Sequence, residues 1–289
     1  METKILDGRA LAQKYKDNIK EFFNKENATR PPCLAVVSVG DNDANSSYIR
    51  SKQKACDYVG FTMKDWRMRT DVSQEALDAA LDYLNYDPRV DGVILQLPIP
   101  DNLDVFEALR HIAKEKDVDG LTLGNYGELF MNSHNYFYLP ATAIGIENLL
   151  REYSIPIEGK NITIVGRSRL VGQPLAKILQ DAYNATVTVC HSHTGREEMT
   201  YATRHADIFI SAIGKAKKWD RTDIKEGAVV IDAGINRDVQ GRLCGDCDFD
   251  SMYGKASYIT PVPGGVGPMT VAMLLTSVWK AWERNKYEH

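Results

Sequence analysis

Short apolar runs alternate with amphipathic segments along most of this chain. The apolar runs Cys33–Gly40 and Gly92–Pro100 end in glycine or proline, as buried strands do. Leu6–Asn24, Ser46–Val59 and Ser73–Leu84 place apolar residues at helical spacing, and Ser73 is the predicted N-cap of the last segment. Strands that alternate with helices predict an α/β fold with a parallel sheet.

A second series of strands and helices follows a change of pattern at Leu121–Leu139, which is rich in Gly, Asn and Tyr and is predicted to be irregular. Its predicted strands have the sequences NITIVG, ATVTVC, DIFISAIG and AVVIDAGIN. This regular spacing predicts a Rossmann-like half. We therefore expect two domains, one formed by residues 1–139 plus 271–289 and one by residues 140–270, with the last helix returning to the first domain.

Composition narrows the possible functions. The 289 residues carry a net charge of −4 and contain no long basic run, which argues against a nucleic-acid partner. The apolar runs are shorter than a membrane span, and the N terminus lacks the apolar region of a secretory signal. Five cysteines, an odd number, indicate free thiols, so we expect a cytoplasmic protein.

The segment Thr260–Thr270, TPVPGGVGPMT, holds three prolines and three glycines directly before an apolar helix. Proline fixes φ and glycine permits positive φ, so the two together define a backbone path that few other sequences can follow. A stiff loop at a helix N-terminus suits a ligand. From composition alone, a plain structural loop remains equally compatible.

The segment ITIVGRSRLVGQP predicts a strand, a turn with Gly166 and Gly172, and a helix that begins near Pro174. It lacks the GxGxxG pattern, yet free N–H groups at a helix N-terminus favour an anion. Arg167 and Ser168 add a cation and a hydroxyl to this turn.

The next strand ends in His191-Ser192-His193-Thr194, where an NAD site usually carries an acidic residue. No acid is present, so Arg167, Ser192 and His193 favour a 2′-phosphate and NADP. Ordinary loop histidines are the alternative. A metal pair would need further ligands, and Cys244 and Cys247 have no second CxxC pair, so we predict no metal.

Candidate acid–base groups lie in the first half. Tyr48, Lys52 and Cys56 share one helix face, and a desolvated lysine can serve as an acid–base group. Gln96 in an apolar strand needs a partner, either Lys52 or a ligand. Asp119 in KDVDG either binds an aminopyrimidine-like edge or forms a turn. On spacing alone, a solvated surface helix is the favoured interpretation of this face, since Arg50 and Lys54 are close by.

Together these segments resemble the bifunctional methylenetetrahydrofolate dehydrogenase/methenyltetrahydrofolate cyclohydrolase family. The matching motifs, in the expected order, are DGRALA, SYIRSKQKACDYVG, DGVILQLPIP, KDVDG, VGRSRLVGQP, ATVTVCHSHT, DAGINR, GDCDFD and TPVPGGVGPMT. The resemblance implies two α/β domains around a cleft, the second a Rossmann-like NADP-binding domain, and dimerisation through that second domain. It implies NADP-dependent oxidation of 5,10-methylenetetrahydrofolate and hydrolysis of the methenyl product to 10-formyltetrahydrofolate.

The resemblance also implies roles for single residues. Lys52 matches the catalytic lysine, Gln96 the glutamine paired with it, Tyr48 the tyrosine that orients the folate, and Asp119 the aspartate that binds the pterin ring. Further implied folate contacts are Leu97, Pro261, Gly264 and Gly265. The implied cofactor contacts are Thr142, Gly166, Arg167, Ser168, Gly172, Ser192, Ile235 and Thr270.

The chain departs from the family pattern at several positions. Ala141 and Ala143 stand where Cys and Pro are common, and His193 replaces a usual Lys or Arg, which predicts a pH-sensitive NADP preference. Two other functional classes stay open at this stage. One is another NADP oxidoreductase of split α/β architecture, such as a shikimate dehydrogenase; the other is a non-catalytic nucleotide sensor. A family member with only one of the two activities is also compatible.

Overall fold

The computed structural model describes residues 2–26, 30–40, 43–131 and 137–287. The strands within these ranges are β1 (Lys4–Ile5), β2 (Cys33–Val39), β3 (Thr62–Met68), β4 (Gly92–Leu95), β5 (Asn161–Val165), β6 (Thr186–Cys190), β7 (Ile208–Ser211), β8 (Val229–Asp232), β9 (Asn236–Arg237), β10 (Leu243–Cys244) and β11 (Tyr258–Ile259). The helices are α1 (Gly8–Lys25), α2 (Asp43–Val59), α3 (Gln74–Tyr86), α4 (Val105–Arg110), α5 (Leu123–Met131), α6 (Ala141–Glu152), α7 (Gly172–Tyr183), α8 (Arg196–His205), α9 (Phe249–Met252) and α10 (Val266–Tyr287).

The chain forms two compact units. The Lys52 unit consists of Gln13–Leu139 and the chain from Val271 onward, and the Gly166 unit consists of the chain up to Ala12 and Pro140–Thr270. Both units contain parallel sheets with helices, so the predicted α/β fold class is confirmed.

The Lys52 unit is built on a three-stranded parallel sheet in the order β3-β2-β4. Every residue of the central strand β2 is buried, which explains its uninterrupted apolar sequence. Alternate β2 residues pack with Leu77, Leu81 and Leu84 of α3 in one core cluster. Ser73 caps α3 as predicted, because its side chain accepts a hydrogen bond from the N–H of Ala76.

The Gly166 unit is built on a six-stranded parallel sheet in the order β1-β11-β8-β7-β5-β6. The strand β5 pairs with β6 on one side and with β7 on the other, so the strand order reverses at β5. In open α/β sheets, ligands bind beyond the carboxyl ends of the strands at such a reversal. The turn after β5 is therefore the expected ligand position of this unit.

The structure differs from the sequence-based expectation in three places. Lys4 and Ile5 pair with β11, so the N-terminal segment belongs to the Gly166 unit and not with the rest of residues 1–139. The strand predicted over Gly92–Pro100 ends at Leu95. The segment Leu121–Leu139 contains the helix α5, which its glycines had concealed, although residues 132–136 lie outside the described ranges.

Candidate functional site

The helix α2 carries three candidate residues of the Lys52 unit on one face. Tyr48, Lys52 and Cys56 follow one another at intervals of one turn, and their exposure decreases along the helix. Tyr48 is 41% exposed, Lys52 is half-buried and Cys56 is fully buried. This helix face therefore runs from a solvent-exposed position to a buried one, and Lys52 lies between the two.

Lys52 is held by Gln96. Its Nζ donates a hydrogen bond to Gln96 Oε1 at 2.6 Å, and Gln96 Nε2 donates to the carbonyl oxygen of Leu97 at 2.9 Å. The backbone N–H of Gln96 donates to Val37 O at 2.8 Å, which fixes this residue directly beyond the end of β4. The structure thus brings together two residues that lie 44 positions apart in the sequence.

Burial shifts the pKa values of Lys52 and Cys56 on this helix face. Desolvation lowers the pKa of Lys52, while the nearby carboxylate of Asp119 opposes the effect by favouring the charged ammonium. Burial raises the pKa of the Cys56 thiol to about 12, so this group stays neutral beside the lysine. A lysine with a lowered pKa gives up its proton more readily than a solvated lysine, which suits an acid–base group.

The two aspartates of KDVDG have different environments. Asp117 is buried, and its carboxylate accepts hydrogen bonds from the backbone N–H groups of Leu121 and Thr122 at 3.1 and 2.8 Å. Asp119 is half-buried, and among the described residues no protein group donates to its carboxylate. Desolvation raises the pKa of Asp119, and Lys52 counteracts it. Asp117 therefore forms the turn, and Asp119 is left available for a ligand.

The turn after β5 holds the candidate cofactor-binding residues of the Gly166 unit. Gly166 has φ +126°, and a Cβ at this position would lie 2.5 Å from the carbonyl oxygen of Ala212. Only glycine fits here, because the turns after β5 and β7 approach each other closely. A Cβ on Gly172 would overlap the carbonyl of Gly166, so the first residue of α7 also has to be glycine.

Hydroxyl and cationic groups surround this turn. Ser168 Oγ accepts from the N–H of Val171 at 3.2 Å, and Ser168 O accepts from the N–H of Gln173, which closes the turn onto α7. Arg167 is exposed, with no hydrogen-bond or ion-pair partner in the described part of the chain. Because β5 and β6 pair in parallel, the exposed Ser192 follows the neighbouring strand end. A phosphate-sized anion fits this set of donors.

The remaining predicted residues of the Gly166 unit fall into two places. Thr270 Oγ1 donates to Thr142 Oγ1 at 3.1 Å, and Ile235 is exposed. The backbone folds tightly at Gly265, where a Cβ would lie 2.7 Å from both Pro261 O and Thr260 Cβ. Gly264 has φ +120°, and its carbonyl accepts from the N–H of Arg9 at 2.8 Å, so the N-terminal segment braces this loop.

Two buried aspartates escaped the sequence-based site prediction. Asp246 accepts hydrogen bonds from Ser211, Ile213, Lys215 and Asn236 at 2.8 to 2.9 Å. Asp232 accepts from the N–H groups of residues 234, 246 and 247. Desolvation raises the pKa of Asp232 to about 6. Together they fix the loops after β7 and β8, and the only sequence signal was an acid at each position in an apolar or glycine-rich stretch.

The structure also shows where two departures from the family pattern and the cysteines lie. Ala141 and Ala143 are both buried at the start of α6. All five cysteines are buried and unpaired, Cys244 and Cys247 among them. In the described ranges, no group of three or more His, Cys, Asp or Glu side chains is arranged to hold a metal ion. No described helix is both long and apolar enough to cross a membrane.

Comparison with known proteins decides the family. The family model "Tetrahydrofolate dehydrogenase/cyclohydrolase, catalytic domain" matches residues 6–119, and "Tetrahydrofolate dehydrogenase/cyclohydrolase, NAD(P)-binding domain" matches residues 140–286. This chain belongs to the tetrahydrofolate dehydrogenase/cyclohydrolase family. The resemblance inferred from the motifs is thereby confirmed.

Relatives of this family match nearly the whole chain. The "Bifunctional protein FolD" of Methanoculleus marisnigri is 46% identical over 277 residues, which cover 96% of this chain and 95% of that protein. The crystal structure of the bifunctional FolD enzyme from Campylobacter jejuni has a TM-score of 0.92 at 41% identity, covering 98% of this chain and 99% of that one. The Trypanosoma brucei FolD structure, described as complexed with NADP cofactor and inhibitor, has a TM-score of 0.93 at 36% identity and covers 98% of each chain.

Proposed function

We propose that this chain oxidises 5,10-methylenetetrahydrofolate with NADP⁺ and hydrolyses the 5,10-methenyltetrahydrofolate formed to 10-formyltetrahydrofolate. The observation that carries the proposal is the hydrogen bond from Lys52 to Gln96, near the carboxylate of Asp119, which accepts no hydrogen bond from the described residues. The similarity to known enzymes supports it, since the Campylobacter jejuni protein is described as a methylenetetrahydrofolate dehydrogenase/cyclohydrolase.

The oxidation requires positioning more than acid–base chemistry. The methylene carbon gives up a hydride with its electron pair, and the two neighbouring folate nitrogens stabilise the resulting methenyl cation. NADP⁺ supplies the acceptor for that hydride. The residues of the chain bind and orient: Asp119 offers two carboxylate oxygens to the N–H groups of the pterin ring, and Tyr48 offers an aromatic face.

The hydrolysis assigns the proton chemistry to Lys52. Water attacks the methenyl carbon, and the neutral amine that burial favours takes the proton which the water loses. The bond from this carbon to N5 then breaks as the ammonium form of Lys52 returns the proton to N5. The hydroxyl group on the carbon releases its remaining proton to water, and its oxygen becomes the formyl oxygen on N10. Gln96 keeps the amine in place throughout, because its side-chain amide is itself fixed to Leu97 O.

The turn after β5 supports NADP as the cofactor. Glycine at position 166 lets this turn lie close to the turn after β7, and the turn leads into the N-terminus of α7, where free N–H groups favour a phosphate. Arg167, Ser168 and Ser192 supply one guanidinium and two hydroxyl groups for the 2′-phosphate, and no acid follows β6. Thr142, Gly172, Ile235 and Thr270 are proposed as further cofactor contacts, and Pro261, Gly264, Gly265 and Leu97 as further folate contacts.

A coupled assay tests this proposal. Methylenetetrahydrofolate is supplied with NADP⁺ or NAD⁺, and reduced cofactor and methenyl absorbance are followed separately. We expect NADPH formation, transient methenyl absorbance and its decay. Cofactor binding without any oxidation would favour a nucleotide sensor, and oxidation of shikimate but not of folate would favour a shikimate dehydrogenase. Comparable efficiency with NAD⁺ would overturn the roles given to Arg167 and Ser192.

We also propose that the chain forms a homodimer in the cytoplasm. The strand β6 is an edge strand, and Val189 on it and Tyr201 on the neighbouring α8 are exposed. Tyr201 lines a groove of about 520 Å³ between β5, β6 and α8, which a second sheet edge would cover. A mass measurement in solution that gave only monomers would contradict the dimer. The compartment rests on the five unpaired thiols.

A further inference from the structure

The Asp119 carboxylate needs support from its surroundings. A half-buried charge without a hydrogen-bonding partner gains free energy by moving into water, so the loop that carries it has to resist that movement. Asp119 lies between Val118 and Gly120 in the segment 116–122, which belongs to no helix or strand. The contacts of this segment therefore decide where the carboxylate is.

The segment is attached to β4 on its N-terminal side. The N–H of Val93 donates to Lys116 O at 2.7 Å, and Val93 forms an isolated parallel bridge with Asp117. Val118 is fully buried and packs over Gly92, where a Cβ would lie 2.5 Å from Val118 Cγ1. This packing holds the residue before Asp119.

The C-terminal side is attached through Asp117 and Asn125. Asp117 is 1% exposed, and it accepts from two backbone N–H groups and from Asn125 Nδ2, the last at 2.9 Å. Asn125 is fully buried; its Nδ2 also donates to Lys114 O, and its Oδ1 accepts from the N–H of Phe137, each at 2.9 Å. Every polar atom of this amide side chain thus has a hydrogen-bonding partner. The side chain joins the backbone at Lys114 and Phe137 to the carboxylate of Asp117.

We propose that Asp117 and Asn125 are positioning residues of the folate reaction, which hold the Asp119 carboxylate next to Lys52 and keep it free of protein partners. This clamp rests on the proposed function, since Asp119 is proposed there to bind the pterin ring. It gives the two acids of KDVDG separate tasks: Asp117 takes the backbone hydrogen bonds of the turn, so that Asp119 does not.

The variant Asn125→Ala tests the clamp, and Asn85→Ala is its matched control. Asn85 in the same unit also joins two backbone groups, donating to His111 O at 2.6 Å and accepting from the N–H of Ala113 at 2.9 Å. Both substitutions remove the same side chain and comparable bonds. We expect both to lower the unfolding temperature, and only Asn125→Ala to raise the folate KM, by about tenfold, as the loss of one charged hydrogen bond would.

The pH dependence of methenyl hydrolysis supplies a readout that a purely structural role would not change. Asp119 favours the charged form of Lys52, so its displacement lowers the pKa of Lys52 further. The limb of the pH–rate profile that Lys52 sets should move to lower pH in Asn125→Ala, in the same direction as in Asp119→Asn, and stay in place in Asn85→Ala. The NADP⁺ dissociation constant, measured by calorimetry, should be that of the parent in all three.

The outcomes separate the clamp from the proposed function. A parent enzyme that does not turn over methylenetetrahydrofolate overturns the proposed function and the role of the clamp with it. An active parent whose Asn125→Ala variant keeps the folate KM and the pH limb overturns the clamp alone. If Asn125→Ala does not fold, Asn125→Ser, which keeps a hydroxyl group, is measured by the same criteria, and an unchanged KM and pH limb there count equally against the clamp.

Discussion

The charged groups next to Lys52 and those in the loops after β7 and β8 differ in how completely they are hydrogen-bonded. In the Lys52 unit, Lys52 has one hydrogen-bonding partner and Asp119 has none within the described ranges, and burial displaces the pKa of both. In the Gly166 unit, the buried Asp232 and Asp246 accept three and four hydrogen bonds. Satisfied buried carboxylates fix loops, whereas poorly satisfied ones keep capacity for a ligand or a proton.

The same distinction holds within a single loop. Asp117 and Asp119 are two residues apart, yet only Asp117 is saturated with N–H donors. The contrast between satisfied and unsatisfied charge therefore does not depend on which unit a residue belongs to. The degree of hydrogen bonding distinguishes residues that stabilise the loops of the candidate site from residues proposed to bind substrate or transfer a proton.

The substitution Lys52→Met is the strongest test of the comparison. It removes the group proposed to transfer the proton in the hydrolysis, so the rate should fall by about 10²–10⁴-fold. The unfolding temperature should not fall, because the cost of desolvating the ammonium disappears with it. Lys54→Met on the exposed side of α2 is the control and should keep the parent rate. Hydrolysis of the methenyl compound at the parent rate in Lys52→Met would show that the assignment is wrong.

The substitution Asp246→Asn should have the reverse pattern. The new NH₂ group would face two of the four donors, which we expect to destabilise the fold by about 3 kcal/mol. Hydrolysis of methenyltetrahydrofolate supplied directly should continue at the parent rate while the protein is folded. Denaturant unfolding and a direct hydrolysis assay measure the two effects, with the exposed Asp250→Asn as control. Lost hydrolysis with retained stability would break the comparison.

The substitution Gly166→Ala tests whether backbone approach determines cofactor binding. Its φ of +126° and the carbonyl oxygen of Ala212 leave no room for a methyl group, so NADP⁺ affinity should fall by roughly 10–100-fold. Gly159→Ala also places alanine at a positive φ, +68°, in the milder left-handed α region and with open space around the new Cβ, so it controls for a positive-φ alanine away from this turn. Calorimetric titration with NADP⁺ distinguishes them. Equal affinity in both variants would contradict the close approach assigned to Gly166.

The sequence predicts local chemistry better than it predicts long-range partners. A shared helix face and a polar residue in an apolar strand made Lys52 and Gln96 candidates, and the family resemblance implied their roles. The division of labour between Asp117 and Asp119 was not found, since it depends on Asn125 in a helix that the glycines concealed. Asp246 was also missed, because its hydrogen-bond donors come from other parts of the sequence, residues 211–215 and 236.

The smallest expected effect concerns a cluster of ionisable side chains in the Lys52 unit, in which His111 lies among three carboxylates. His111 Nδ1 lies 3.1 Å from both carboxylate oxygens of Asp82, and its Nε2 lies 3.7 Å from Asp78 and 3.8 Å from Glu107. Asp82 is the main cause of the raised pKa of His111. Because these charges are paired, the comparison assigns them to stability and not to catalysis.

The sign of this contribution follows from the raised pKa. The folded protein binds the proton more tightly than the unfolded chain, so the stabilisation is complete below the ordinary histidine pKa and is lost as pH rises through the folded one. The substitution His111→Gln should therefore lower the free energy of unfolding more at pH 5.5 than at pH 8.5, by under about 1 kcal/mol for a partly exposed cluster. Denaturant unfolding at the two pH values measures this difference. A change in either enzymatic rate would place this cluster among the residues that act in the reaction, and would break the rule that paired charges only support the fold.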